Sequence, residues 1–142
     1  MPTNSPAFVS IIKHDGRALL VHSLQAQGTE SNEVLKFNAF SNMALDHFES
    51  DLYNWTSLSN DYPDIKPLFR LEDINVFGRL IKQTGLKIIV GFRLEDGVSD
   101  EEVANVFREV STTYVRSKCN PFVFSESDLV EQLKKAFTAR LT

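Results

Sequence analysis

Cysteine is nearly absent from this chain of 142 residues, in which Cys119 stands alone. A single thiol makes no internal disulfide, which fits a reducing compartment. Zinc sites usually combine several cysteines and histidines at close spacing, and neither residue type occurs in the stretch "YVRSKCNPF" apart from Cys119 itself. We therefore predict a buried, inert cysteine, and we predict neither a metal ion nor any other cofactor.

Positive charge and long apolar runs are also scarce. The formal net charge is -4 and the isoelectric point is near 5.3, so binding to nucleic acid or to anionic lipid headgroups is disfavoured. No run approaches the roughly 18 apolar residues of a membrane span, and the start "MPTNSPAF" lacks the pattern of a signal peptide. We expect a cytoplasmic protein without membrane insertion, whose partners are proteins or small molecules.

Sequence patterns that carry chemistry are missing as well. The six glycines form neither GxGxxG nor GxxxxGK followed by Ser or Thr, so no phosphate cradle is predicted. His14, His22 and His47 are interpreted as solvated or packing side chains. Clustered carboxylates such as those at 100–102 are explained as helix-start charges. The sequence therefore predicts no catalytic residue.

Apolar and aromatic residues are plentiful by contrast. They make up 42% of the chain and include 11 phenylalanines, enough to build the core of one domain over residues 1–142. Asp15-Gly16 predicts a tight hairpin, and Gly85 predicts a left-handed position in a three-residue loop. Apolar residues occupy both faces of the last two strands, so helices should cover both faces of the sheet. Strands are predicted at 7–13, 17–24, 68–73, 75–82 and 86–94, with a polar loop over 56–67.

Three helices follow from apolar periodicity and capping residues. The first covers 32–55, the second begins at the capping box Ser99 to Glu102, and the third follows the cap "SESD" at 125–128. The second helix should stop at Asn120-Pro121, after which Phe122 and Phe124 pack. The tripeptide Asn-Pro-Phe also serves as a short ligand for EH-type domains, but that mode needs an exposed, flexible loop. The order ββαβββαα predicts an α+β fold, with one helix on one face of a five-stranded antiparallel sheet and two on the other.

One group of residues on the first helix is not explained by its core-facing arc. Leu35, Ala39 and Met43 follow a spacing of four residues and lie about 100° or more from the centre of that arc. Two interpretations stay open at this point, namely scattered surface apolar residues or a docking face for another protein. The candidate partner-binding residues are Leu35, Ala39, Asn42, Met43, Asp46 and Tyr53.

Three stretches resemble the sedlin family of TRAPP subunits, and within it the fungal sedlin-like branch associated with TRAPP II. They are "SNMALDHFES" in the first helix, "KQTGLKIIVGF" in the last hairpin and "YVRSKCNPF" at the end of the second helix.

The resemblance implies a longin or profilin-like fold and a non-catalytic adaptor of a vesicle-tethering and Rab-activating complex. It also implies peripheral location at Golgi membranes through that complex. The implied partners are other TRAPP subunits, and Asp46 is implied to contact the large TRAPP II subunits.

Two alternatives remain from the sequence. A small chain of a clathrin-adaptor coat has the same kind of fold and size, and it would co-purify with large adaptin chains. A small-molecule sensor or an enzyme would require a deep pocket with convergent polar groups. No motif in the sequence indicates such a pocket.

Overall fold

The computed structural model describes residues 6–13, 15–23, 31–49, 65–71, 74–81, 84–93 and 99–141. Within these ranges the order of strands and helices is ββαβββαα, as predicted. The strands are β1 (Phe8–Ile12), β2 (Ala18–Ser23), β3 (Ile65–Leu71), β4 (Ile74–Ile81) and β5 (Leu86–Arg93). The helices are α1 (Ser31–Glu49), α2 (Asp100–Lys118) and α3 (Glu126–Leu141). The part of the first predicted helix that follows residue 49 lies outside the described residues.

The strands form one antiparallel sheet in the order β2-β1-β5-β4-β3. The loop predicted over 56–67 was too long at its end, because β3 begins at Ile65 and includes Pro67. Proline is tolerated there because β3 lies at the edge of the sheet, where one side of the strand has no ladder partner among the described strands. The pairing with β4 shifts register between Pro67 and Phe69.

Two glycines lie in the turns that join β1 to β2 and β4 to β5. Gly16 has a φ of 85° and Gly85 a φ of 73°, a left-handed region that glycine enters without steric cost. Both positions confirm the sequence prediction. Because Ile81 pairs with Leu86, the second connection covers residues 82–85 and is one residue longer than predicted.

Each face of the sheet carries its own apolar core. On one face α1 packs over a cluster that includes Phe8, Val76 and Ile89. On the other face α2 and α3 pack over Phe77, Ile88, Val90 and Phe92, among others. The alternation along β4 and β5 predicted this division, and the layers are those of a longin-like domain.

The helices on the second face begin at the predicted caps. The hydroxyl of Ser99 accepts a hydrogen bond from the Glu102 N–H at 3.2 Å, and the Glu102 carboxylate accepts one from the Ser99 N–H at 3.5 Å. The Ser125 hydroxyl accepts a hydrogen bond from the Asp128 N–H at 3.2 Å. These bonds satisfy amides that a helix start otherwise leaves without a partner, and they fix where α2 and α3 begin.

Candidate functional site

Aromatic contacts fix the rotation of α1 on the sheet. Phe37 stacks on Phe8 of β1, with ring centroids 4.7 Å apart and an interplanar angle of 18°. Phe40 meets Phe69 of β3 edge-on, at 5.9 Å and 83°. About two turns further along, Phe48 lies against the backbone of β4 at Gly78, where no Cβ would fit. Since these rings hold the helix on both sides of the sheet's midline, the opposite side of α1 is turned outward.

The outward side of α1 presents most of the candidate residues predicted from the sequence. Leu35 is 67% exposed and Met43 is 38% exposed. Ala39, Asn42 and Asp46 are exposed as well. We call these five residues the α1 ridge. Tyr53, the sixth candidate, lies outside the described residues.

The α1 ridge includes apolar side-chain surface that the described part of the chain does not bury. Fully burying a leucine or methionine side chain stabilises a structure by about 1.5–3 kcal/mol, so Leu35 and Met43 are costly surface residues. Asp46 sits beside them and makes no ion pair with any residue in the described ranges. Apolar anchors next to a free carboxylate are chemically suited to a protein surface that offers an apolar pocket and a basic group.

A second exposed surface lies where α2 turns into α3, and here two sequence predictions were wrong. Cys119 is exposed and not buried, because it follows the last residue of α2 at the end of the helix. Phe122 and Phe124 are 79% and 84% exposed instead of packed. Val123 between them packs against the core under α2 and α3.

The turn in the link between α2 and α3 explains the two exposed rings. The link between Lys118 and the cap at Ser125 is short, and the Asn120 carbonyl accepts a hydrogen bond from the Val123 N–H at 3.0 Å. Val123 is the side chain of this link that packs against the core, so its two neighbours stay outside. The sequence does not show which of the three side chains enters the core.

A depression of about 430 Å³ lies beside the end of α2. Cys119, Tyr114 and Lys118 are among its described lining residues, none of which is a histidine or a carboxylate. The described residues of this depression therefore give the thiol no adjacent base to take its proton. In the described part of the chain, no three side chains among His, Cys, Asp and Glu come together as metal ligands.

His22 has a packing role on β2. Its Nε2 lies 3.2 Å from the Thr138 hydroxyl of α3, and its ring centroid is 6.4 Å from that of Phe137. Burial lowers the pKa of His22, and the nearby Lys134 ammonium lowers it further. The neutral imidazole therefore belongs to the contact between β2 and α3.

The order of elements and the layers define a longin-like domain. The family model described as Sedlin matches residues 11–141. The TRAPP-associated protein TCA17 of Saccharomyces cerevisiae is 41% identical over 138 residues, which cover 93% of this chain and 90% of that protein. The chain therefore belongs to the sedlin family.

A solved structure of the mammalian SRP receptor contains a chain with 15% sequence identity and a TM-score of 0.37. The match covers 96% of this chain and 98% of that chain. A likeness at this TM-score adds nothing to the fold described above. Of the helices in the described ranges, none has both the length and the apolar character needed to cross a bilayer.

Proposed function

We propose that this chain is a non-catalytic adaptor subunit of a TRAPP complex that tethers vesicles and activates Rab proteins in Golgi traffic. The observation that carries the assignment is the 41% identity to a protein named for its association with TRAPP, over nearly the whole of both chains. In this proposal residues 1–142 form one longin-like domain. It is cytoplasmic and reaches Golgi membranes through the complex.

The α1 ridge is the proposed docking face for the large TRAPP II subunits. Leu35 and Met43 are the apolar anchors, and their exposure in the isolated chain supports this role. Asp46 supplies a carboxylate that orients the partner and pairs with a basic group on it. Ala39 allows close approach because its side chain is small, and Asn42 adds hydrogen-bonding capacity at the rim.

A substitution on the ridge should separate binding from folding. Met43→Asp places a charge in the proposed contact, so we expect it to deplete the large TRAPP subunits recovered with the tagged chain. Because Met43 is partly exposed, the thermal unfolding midpoint should change little. Affinity purification from cells followed by quantitative mass spectrometry measures the first quantity, and circular dichroism measures the second.

Asn105→Asp is the matched control, because it adds the same charge to an exposed helical position on α2. It should leave partner recovery unchanged.

Asp46→Tyr should abolish recovery of the large TRAPP subunits, whereas Asp46→Asn should reduce their recovery less. Recovery of large adaptin chains in place of TRAPP subunits would contradict the TRAPP assignment, whereas full TRAPP recovery with Met43→Asp would contradict only the docking face.

A further inference from the structure

A tight turn at residues 120–123 projects one aromatic ring into solvent. The side-chain oxygen of Asn120 accepts a hydrogen bond from the Phe122 N–H at 2.9 Å. The Asn120 carbonyl accepts a second one from the Val123 N–H at 3.0 Å. Pro121 sits at the second position of this turn, where its fixed φ is favourable. Phe122 is the third residue and is 79% exposed.

We propose that Asn120, Pro121 and Phe122 form a preformed ligand for an EH-type domain, the class of domain that accepts Asn-Pro-Phe as a short ligand. The partner therefore offers an apolar pocket for one phenyl ring and polar groups for the asparagine amide. This interaction is separate from the α1 ridge and does not depend on the proposed TRAPP role.

Preorganisation is the first argument for the proposal. A flexible tripeptide loses conformational entropy when it binds, because its side chains and its backbone are both immobilised. Here one hydrogen bond to the Asn120 side chain, one to its backbone carbonyl and the proline ring already hold the turn, and α2 and the Ser125 cap of α3 anchor its two ends. The expectation from the sequence was that such a ligand needs a flexible loop, but we propose that a preformed, exposed turn serves the same purpose.

The accessible groups are the second argument. An apolar pocket that takes the exposed ring of Phe122 out of water gains the free energy of burying a large apolar side chain. Aromatic anchors of this kind carry much of the binding energy at protein interfaces. None of the described residues accepts a hydrogen bond from the Asn120 Nδ2, which leaves that donor available to the partner.

Charge does not compete with this mode of recognition. Lys118 precedes the turn and its ammonium contacts the Tyr114 hydroxyl at 3.4 Å. Glu126 follows the turn and pairs with Lys13 at 2.8 Å. Neither contact involves Phe122, and the proposed recognition rests on the phenyl ring and the asparagine amide.

Phe124 provides a matched internal control. It is 84% exposed, but it lies outside the turn, and its N–H donates to the Asp128 carboxylate at 3.2 Å. Phe124 also lines a depression next to Leu129. The chain thus offers two exposed phenylalanines two residues apart, of which the proposal assigns only Phe122 to the pocket.

The test uses the full chain and a panel of recombinant EH-type domains, each first shown to bind a linear Asn-Pro-Phe peptide. Isothermal titration or fluorescence anisotropy should detect binding of the folded chain to at least one of them. Phe122→Ala should weaken it at least about tenfold, as loss of a central aromatic anchor does. Asn120→Ala should also weaken it, because it removes both the amide and the turn's side-chain bond. Phe124→Ala should change the affinity less than about twofold.

Folding of each variant is checked by near-ultraviolet circular dichroism, which should be unchanged because all three side chains reach the surface. The proposal is overturned if the folded chain binds no domain of the panel. It is also overturned if Phe124→Ala weakens binding as much as Phe122→Ala does. Self-association of the chain alone that Phe122→Ala abolishes would assign the ring to a contact between copies and would also overturn it.

Discussion

At the scale of residues, close packing in the central strands limits which residue type fits at a given position. Gly91 of β5 lies opposite Phe8 of β1. A Cβ at Gly91 would collide with the Phe8 ring and come within 3.1 Å of the Ile74 Cγ2. Phe8 is fully buried and stacked on Phe37, so its ring has no free space to move into. Glycine is required here for close approach and not for a turn.

Gly91→Ala should therefore destabilise the protein by about 1–3 kcal/mol, the usual cost of overpacking a filled core. Urea unfolding measures this as a shift of the midpoint at unchanged slope. In a Phe8→Leu background the same substitution should cost less, because the smaller side chain leaves room for the added methyl group. A free energy of unfolding that stays within about 0.5 kcal/mol of the original would contradict the collision.

The directions of individual side chains were the least predictable feature. The outward position of Leu35 and Met43 followed from helical periodicity, because the core-facing arc of α1 was clear. The exposure of Cys119, Phe122 and Phe124 did not follow. In the short link their directions depend on which side chain of the link enters the core, and composition alone favours burying all of them.

The helices and strands were largely predictable, because each has a local cause. The capping residues Ser99 and Ser125 and the turn glycines Gly16 and Gly85 mark the ends of helices and strands by chemistry within a few residues. The start of β3 was missed for the opposite reason. Whether proline interrupts a strand depends on whether that strand lies at a sheet edge, which is a tertiary property.

Contact between β2 and α3 should depend on pH through His22. Its pKa in the folded protein is lowered from the ordinary value of 6.5, mainly by burial. The unfolded chain therefore binds a proton at a higher pH than the folded one does, so the free energy of unfolding should fall as the pH drops below about 6.5.

His22→Gln keeps a hydrogen-bonding group near Thr138 but does not titrate. It should flatten the dependence of the unfolding free energy on pH between about pH 7 and 5. Glu126 does not disturb this window: its pKa is lowered from 4.5, chiefly by the Lys13 hydrogen bond, so its contribution is lost only at lower pH. A slope that persists in the variant would show that other groups titrate on unfolding.

At the scale of the whole molecule, the two exposed surfaces described above lie on opposite faces of the sheet. The α1 ridge belongs to the helix on one face of the sheet, whereas the Asn120 turn joins the two helices on the other face. One partner can therefore cover the ridge without blocking the turn. The sheet lies between the ridge and the turn, and each of them has a fixed position relative to the core on its own face of the sheet.

The layers of this molecule were predictable from its sequence, but the use of its surface was not. The two apolar faces of β4 and β5 required helices on both sides, and the apolar excess on α1 marked a candidate contact. Whether a partner covers that excess depends on a complementary surface, and the present chain encodes only one half of such a contact.

Chemical labelling of the α1 ridge, alone and in the assembled complex, tests the central claim most directly. In a Cys119→Ser background, Met43→Cys should react rapidly with a maleimide in the isolated chain and at least about tenfold more slowly in the purified TRAPP complex, as a residue desolvated at an interface core does. Asn105→Cys should react at the same rate in both. Equal reactivity of Met43→Cys in the free chain and in the complex would contradict the assignment of the ridge as the docking face.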